Sequence, residues 1–325
     1  MRHKLLFVLI VAGLLPLCCA ATGFATPGEE KAIVLAVFGT SHIEGLPGIL
    51  TIRDRVQQAF PKTRVELAFT SNIIRRIWQK RSQDQAYRAA HPEVPKEIIE
   101  VKGPLAAMAN LQDEGYGTII IQPTHMAAGE EFADLASYVD GLNSIRTVKA
   151  RNMPLKRVLI GRPALGVPGI EHEYRKDIAM VARALAEDVR AAAREKRALV
   201  YMAHGNEHYS TGYYVELEAV MQEMYPATKT YIGMVEGFPE LGHVVAALER
   251  DKVRQVSLKA LMTVAGDHAK NDMAGEEPDS WRKVLEAKGV DVRVDLRGLG
   301  ESAPFAEIFV EHIRDAAKDH GVELK

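Results

Sequence analysis

The chain has two cysteines, Cys18 and Cys19, and none beyond residue 19. That absence excludes thiolate ligation of a metal, a cysteine nucleophile and a disulfide framework from everything downstream. A metal bound there must rest on His, Asp and Glu. Neither sign of charge dominates: 41 Lys and Arg face 43 Asp and Glu, for a net charge of −2. No global basic field therefore points to nucleic acid, and any anion-binding feature must be local. The phosphate-cradling and nucleophile motifs are also missing. There is no Walker A pattern, no Gly-x-Gly-x-x-Gly at a strand–helix junction and no Gly-x-Ser-x-Gly elbow. Nucleotide-driven and dinucleotide chemistry have no visible support. No low-complexity tract interrupts a composition that is 47% hydrophobic and 26% charged, as in ordinary globular proteins.

The one long apolar run, at 5–17, is too short for a comfortable membrane span. Arg2, His3 and Lys4 precede it, and Gly23 and Ala25 follow as the small residues of a cleavage site after Ala25. These features predict an export signal over 1–25 and a periplasmic mature protein. The rival reading is a lipid anchor on Cys18 or Cys19, which the bulky Leu17 disfavours. Removing 1–25 takes away two cations and no acid. The net charge moves to −4, with no cysteine and no transmembrane segment left.

From residue 31 onward, short apolar strands alternate with helical stretches. Strands are predicted at 31–38, 64–69, 118–122 and 157–160, then at 198–202, 230–235, 253–260 and 292–295. Helices are predicted at 47–60, over IIRRIWQKR after Asn72, at 104–114, at 173–196 and at 305–318. The polar stretch 82–102, with Pro92 and Pro95, reads as partly irregular. Glycine and proline fill five of the nine positions from Gly161 to Gly169, which marks a linker. The expected division is a leader at 1–25, one α/β lobe at 26–162 and a second at 163–325 carrying the metal site. Such alternation implies right-handed βαβ units and a doubly wound parallel sheet in each half. The halves also read as weak repeats. TIIIQPTHMAAGEE resembles VSLKALMTVAGDH, which sets Glu131 opposite His268, and Phe38-Gly39-Thr40 corresponds to Met202-Ala203-His204. Two such lobes facing each other would enclose a cleft lined by both sets of strand ends.

Three residues at predicted strand ends carry the chemistry. His204, Glu236 and His268 follow one another at intervals of 32 residues, about one βα unit each. They should converge on one edge of the second sheet, where ligands bind in open α/β folds. Any one alone reads as a polar loop residue; together they read as a site for cobalt, iron, nickel or zinc with coordination positions left open. A histidine there also exchanges protons near neutrality. His208 reads as a helper or an ordinary surface histidine. Arg75, Arg76, Lys80 and Arg81 form a cationic helix stretch that either clamps carboxylates of a polyanionic ligand or is simply solvated. Ser41 and His42 follow the first strand and are placed to contact substrate. His125, beside Met126, has three readings: it lines the cleft, binds a haem iron axially, or packs.

Five segments resemble a known family: FGTSH at 38–42, AFTSNIIRR at 68–76, AHG at 203–205, VEGFPE at 235–240 and LMTVAGDHAKNDMAGEEPDSW at 261–281. They are similar to the anaerobic cobalt chelatases of the CbiK type, which insert Co2+ into sirohydrochlorin in cobalamin biosynthesis. The resemblance covers nearly the whole mature chain. It implies a class II, ATP-independent chelatase: two similar lobes with four-stranded parallel sheets and a cleft between. The family's metal-binding histidine in its HG motif falls on His204, its glutamate before an aromatic–proline pair on Glu236, and the histidine of GDH on His268. The implied mechanism holds Co2+ on these three while His204 removes pyrrole N–H protons and local cations such as Arg75 and Arg76 hold the carboxylates. The leader departs from the cytoplasmic members. Exported relatives resemble haem-containing tetramers, which makes haem b, a homo-oligomer and His125 as axial ligand further expectations. Two alternatives stay open: Fe2+ in place of Co2+, and a periplasmic metal or tetrapyrrole carrier with no turnover.

Overall fold

The computed structural model describes residues 28–206 and 211–325. The expected leader, both cysteines and His208 lie outside the described residues.

The first lobe is built from β1 (Glu30–Val37), α1 (Leu46–Ala59), β2 (Arg64–Phe69), α2 (Asn72–Gln83), α3 (Gln85–Ala90), α4 (Lys96–Ile99), α5 (Pro104–Asp113), β3 (Tyr116–Pro123), α6 (Glu130–Ser144) and β4 (Arg157–Ile160). The second follows with α7 (Tyr174–Ala184), α8 (Ala186–Glu195), β5 (Ala198–Gly205), α9 (Thr211–Met224), β6 (Thr230–Glu236), α10 (Leu241–Arg250), β7 (Gln255–Leu261), α11 (Trp281–Ala287), β8 (Asp291–Asp295) and α12 (Ala303–Asp319). Each lobe holds one four-stranded parallel sheet, ordered β2-β1-β3-β4 and β6-β5-β7-β8. The two orders are the same, so the weak sequence repeat corresponds to a repeated topology: β1 matches β5, and β3 matches β7.

The strands form where the apolar runs stand because a parallel sheet covered on both faces buries every side chain. β1 (EKAIVLAV) buries its last six residues, and β5 (ALVYMAHG) buries its first six. The burial fades at the carboxyl end of β5, where the polar loops begin. The helix expected at 173–196 kinks at Leu185 and does not break: the Leu185 amide still donates to Val181 O at 3.0 Å, and its carbonyl still accepts from Val189 at 3.2 Å. The stretch 82–102 holds two short helices, α3 and α4, the first capped by Asp84, which accepts from Tyr87 N.

The expected division at residue 162 separates the two sheets, but the last helix does not respect it. α12 buries nine residues, among them Phe305, Phe309 and Ile313, and packs on α1, β3 and β4 of the first lobe as well as on α7. Its Ala316 and Ala317 sit with Ile120 and Leu159. A buried polar node fixes this crossover. Arg162, in the linker, donates to Asp177 of α7 at 2.9 Å and to Asp315 of α12 at 2.8 Å, and His312, fully buried, contacts Arg162 O and Asp177. Burial alone would raise the Asp177 carboxyl; the hydrogen bonds from His312 and Arg162 together outweigh it and hold the group below its ordinary range.

Candidate functional site

The carboxyl ends of both sheets open onto one cavity of about 330 Å³. Its walls come from both lobes.

From the first lobe, Gly39 makes the entry. Its φ of +100° lies in the left-handed region, and a Cβ there would stand 2.6 Å from the Phe69 ring. Only glycine lets the chain turn over Phe69 and carry Thr40, Ser41 and His42 into the cavity wall. The loop is then pinned from α2: Trp78 Nε1 donates to Thr40 O at 2.7 Å and Arg81 to Ser41 O at 2.6 Å. His42 faces the second lobe, with Nε2 3.7 Å from Asp267 and Nδ1 3.4 Å from Lys270 Nζ. A lysine ammonium only donates, so Nδ1 holds the lone pair and Nε2 carries the hydrogen toward Asp267. Behind β3, His125 lines the cavity beside Met126. Its Nε2 lies 3.3 Å from Thr70 Oγ1, and its buried Nδ1 has no hydrogen-bond partner among the described residues. Desolvation pushes this imidazole down to about 4, so it is neutral across the physiological range. Glu131, in the first turn of α6, completes this wall.

From the second lobe, His204 sits at the end of β5 and Glu236 at the end of the adjacent β6, with Gly205 paired to Glu236 in register. Gly205 has φ +80°, and a Cβ on it would stand 1.8 Å from Glu236 O. Glycine therefore permits the close approach of the two strand ends. His268 follows β7 and enters a π-helical turn at Ala269–Met273. The rings of His204 and His268 meet edge to face at a centroid distance of 4.7 Å, and both line the cavity. Glu236 Oε2 lies 3.9 Å from His204 Nδ1, behind the ring and off the cavity wall. All three side chains are between a third and a half exposed. Among the described residues, no three His, Cys, Asp or Glu stand close enough to hold a metal ion in this arrangement. The two imidazoles are gathered, and the carboxylate stands beside one of them.

The structure does not bring Arg75 and Arg76 to this cavity. α2 presents Ile73, Ile74 and Ile77 to it. At 100° per residue Arg75 falls on the opposite side of the helix, where its guanidinium lies against Gly103 and bonds Asn72. Arg76 is exposed away from the wall. Two cations instead touch residues of the cavity wall: Arg81 donates to Ser41 O, and Lys270 stands 3.4 Å from His42 and pairs with Glu44 at 3.2 Å. His125, the expected haem ligand, lies in the same cavity as the histidine pair, with Nε2 against Thr70, so a tetrapyrrole held there would share the space the pair faces. Glu131 is the cavity residue that composition and spacing did not single out. The only sequence signal for it was the repeat, which set it opposite His268.

Two parallel sheets of one topology, with imidazoles at the strand ends of one lobe and a carboxylate from the other on a shared cavity, make a two-lobed α/β protein with its site at the strand ends. The family described as Cobalt chelatase (CbiK) matches residues 31–318, and the chain belongs to that family. It is 30% identical over 290 residues to the sirohydrochlorin cobaltochelatase CbiKC of Nitratidesulfovibrio vulgaris, covering 89% of this chain and 92% of that protein. It is 29% identical over 289 residues to the sirohydrochlorin cobaltochelatase of Salmonella typhimurium, covering 88% of this chain and 96% of that one. Among solved structures it is similar to SirB from Bacillus subtilis with Fe3+, at a TM-score of 0.56 and 13% identity, over 91% of this chain and 100% of that chain. That last likeness is one of fold.

Proposed function

We propose that the protein inserts Co2+ into sirohydrochlorin without nucleotide energy. The observation that carries this reading is the edge-to-face pair of His204 and His268 on the wall of a cavity that Glu131 of the other lobe also lines. The activity of the two named cobaltochelatases and the family membership support it.

In this reading the macrocycle lies against the apolar face made by Ile73, Ile77 and Met126, and its carboxylate arms reach past the mouth toward Arg81 and Lys270. Co2+ arrives as a substrate on His204 and His268, and rotation of the exposed Glu236 side chain brings the third ligand to it. Each Co2+ that enters displaces two pyrrole N–H protons, so the charge buried in the cleft hardly changes. As Co2+ passes from His204 to the ring nitrogens, the imidazole nitrogen it leaves takes one pyrrole proton, and Glu131, which lines the cavity from the other lobe, takes the second. His125, half-buried and neutral, adds no charge to the macrocycle's surroundings. Imidazole and carboxylate do not separate Co2+ from Fe2+ by affinity, so Fe2+ is an alternative metal substrate, decided by competition between the two ions.

We also propose export through the leader at 1–25 and a periplasmic mature protein, which fractionation with amino-terminal sequencing tests. A homo-oligomer, up to a tetramer, is part of the same proposal and is tested by sedimentation. The function itself is tested by an anaerobic absorbance time course with sirohydrochlorin and Co2+ in large excess over the protein. Many equivalents of metallated product per protein establish a chelatase. Binding that stops at one equivalent makes the protein a carrier.

A further inference from the structure

His268 has a second-layer partner that the reading above does not use. The wide turn at Ala269–Met273 sets residues four apart side by side, and two side-chain couples result. Asn271 Nδ2 donates to Asp267 Oδ1 at 3.0 Å, and His268 Nδ1 stands 2.5 Å from Asp272 Oδ2. Residues four apart on such a turn are neighbours, as on any helical turn, and π-turns recur at functional sites. An ionised carboxylate only accepts, so the hydrogen of a neutral His268 resides on Nδ1. Nε2 is then the nitrogen with the free lone pair. Its ring is the one packed edge to face on His204 at the cavity wall.

We propose that Asp272 is a positioning residue: it holds His268 as the Nδ1–H tautomer, fixes the ring plane and thereby reserves Nε2 for the incoming divalent metal. This rests on the reading of His268 as a metal ligand. A carboxylate behind a ligating imidazole orients the ring and makes it a better donor, and its loss typically costs about 10–100-fold in metal affinity or activity. The pair is 40% and 46% exposed, so its own contribution to folding is small. Asp272→Ala should therefore fold normally and lose function through His268 alone.

Two measurements test this, and neither needs turnover. The first is the ¹⁵N spectrum of histidine-labelled, metal-free protein at pH 8. His268 should show the hydrogen on Nδ1 in the native protein. Asp272→Ala should move it toward Nε2, the position favoured by imidazole in water, and Asp272→Asn, whose amide oxygen still accepts, should keep most of it on Nδ1. The second is anaerobic Co2+ titration without tetrapyrrole, where Asp272→Ala should weaken binding by about 10–100-fold and Asp272→Asn should restore most of the loss. An unchanged tautomer and unchanged Co2+ affinity in Asp272→Ala would overturn the proposal, as would an Asp272→Asn variant as impaired as the alanine. If the native protein binds Co2+ in this way yet never turns over sirohydrochlorin, the chelatase reading fails while the role of Asp272 stands.

Discussion

His125 gives a prediction whose size follows from its surroundings. The imidazole is enclosed by protein on every side but the cleft, and desolvation lowers it from 6.5 to about 4. In the unfolded chain it regains an ordinary value, so on acidification the unfolded state takes up its proton first. A group whose folded value is depressed contributes stability that is present above the unfolded value and lost as pH falls through the folded one. The gap between 6.5 and about 4 is worth about 3 kcal/mol. About 2 kcal/mol of this should be gone between pH 7 and pH 5. Solvent reaching the open side of the ring makes these upper limits. The assay is urea unfolding of the native protein and of His125→Phe at pH 7, 6 and 5. The variant loses the contact with Thr70, a roughly constant offset, but has no proton to take up. Its stability relative to the native protein should rise by about 2 kcal/mol on going to pH 5. Parallel pH profiles for the two proteins would refute the reasoning. So would a histidine resonance assigned to His125 that titrates near 6.5.

Other predictions follow from single contacts. Gly205→Ala forces a Cβ to within 1.8 Å of Glu236 O at a positive φ, which costs at least about 1–2 kcal/mol. It should spread the ends of β5 and β6 and lower the metallation rate more than the melting temperature. Arg162→Leu leaves Asp177 and Asp315 without their shared cation at the α12 crossover, and thermal unfolding should show a loss of about 3–5 kcal/mol. Because Asp177 is held below its ordinary range, the stability it contributes is lost as pH falls below about 4, and Asp177→Asn should flatten that acid limb. Trp78→Phe removes the donor to Thr40 O in a fully buried site; denaturant titration should show a cost of about 1–3 kcal/mol. KM for sirohydrochlorin should rise as the Ser41–His42 loop loosens.

The strands and their ends were legible because a buried parallel strand is an unbroken apolar run and the loop after it is abruptly polar. β1, β5 and β7 show this, and His204 and His268 stand just past such runs in the sequence. What rotates about a helix axis was not legible. The basic cluster of α2 reads as one cationic face, yet Ile73, Ile74 and Ile77 line the cavity, Ile73 still largely exposed at its edge, and Arg75 lies against Gly103 on the other side of the helix. Long-range packing was not legible either. Nothing local in 303–319 says that α12 leaves its own lobe to cover α1 and β3, because that choice is made by the apolar surface the first lobe leaves uncovered. Glu131 was half visible, through the repeat alone, and the burial that keeps His125 neutral depends on residues far from it in the chain.

If the His204–His268 wall carries out metal insertion, loss of one of its imidazoles must stop turnover. The most direct measurement is anaerobic Co2+ insertion into sirohydrochlorin by the native protein and by His204→Ala, at catalytic protein and saturating metal, with tetrapyrrole binding followed separately by fluorescence quenching. His204→Ala should still bind the tetrapyrrole but lose about 100-fold or more in kcat, the scale of a missing proton acceptor. A variant that turns over at the native rate would contradict it.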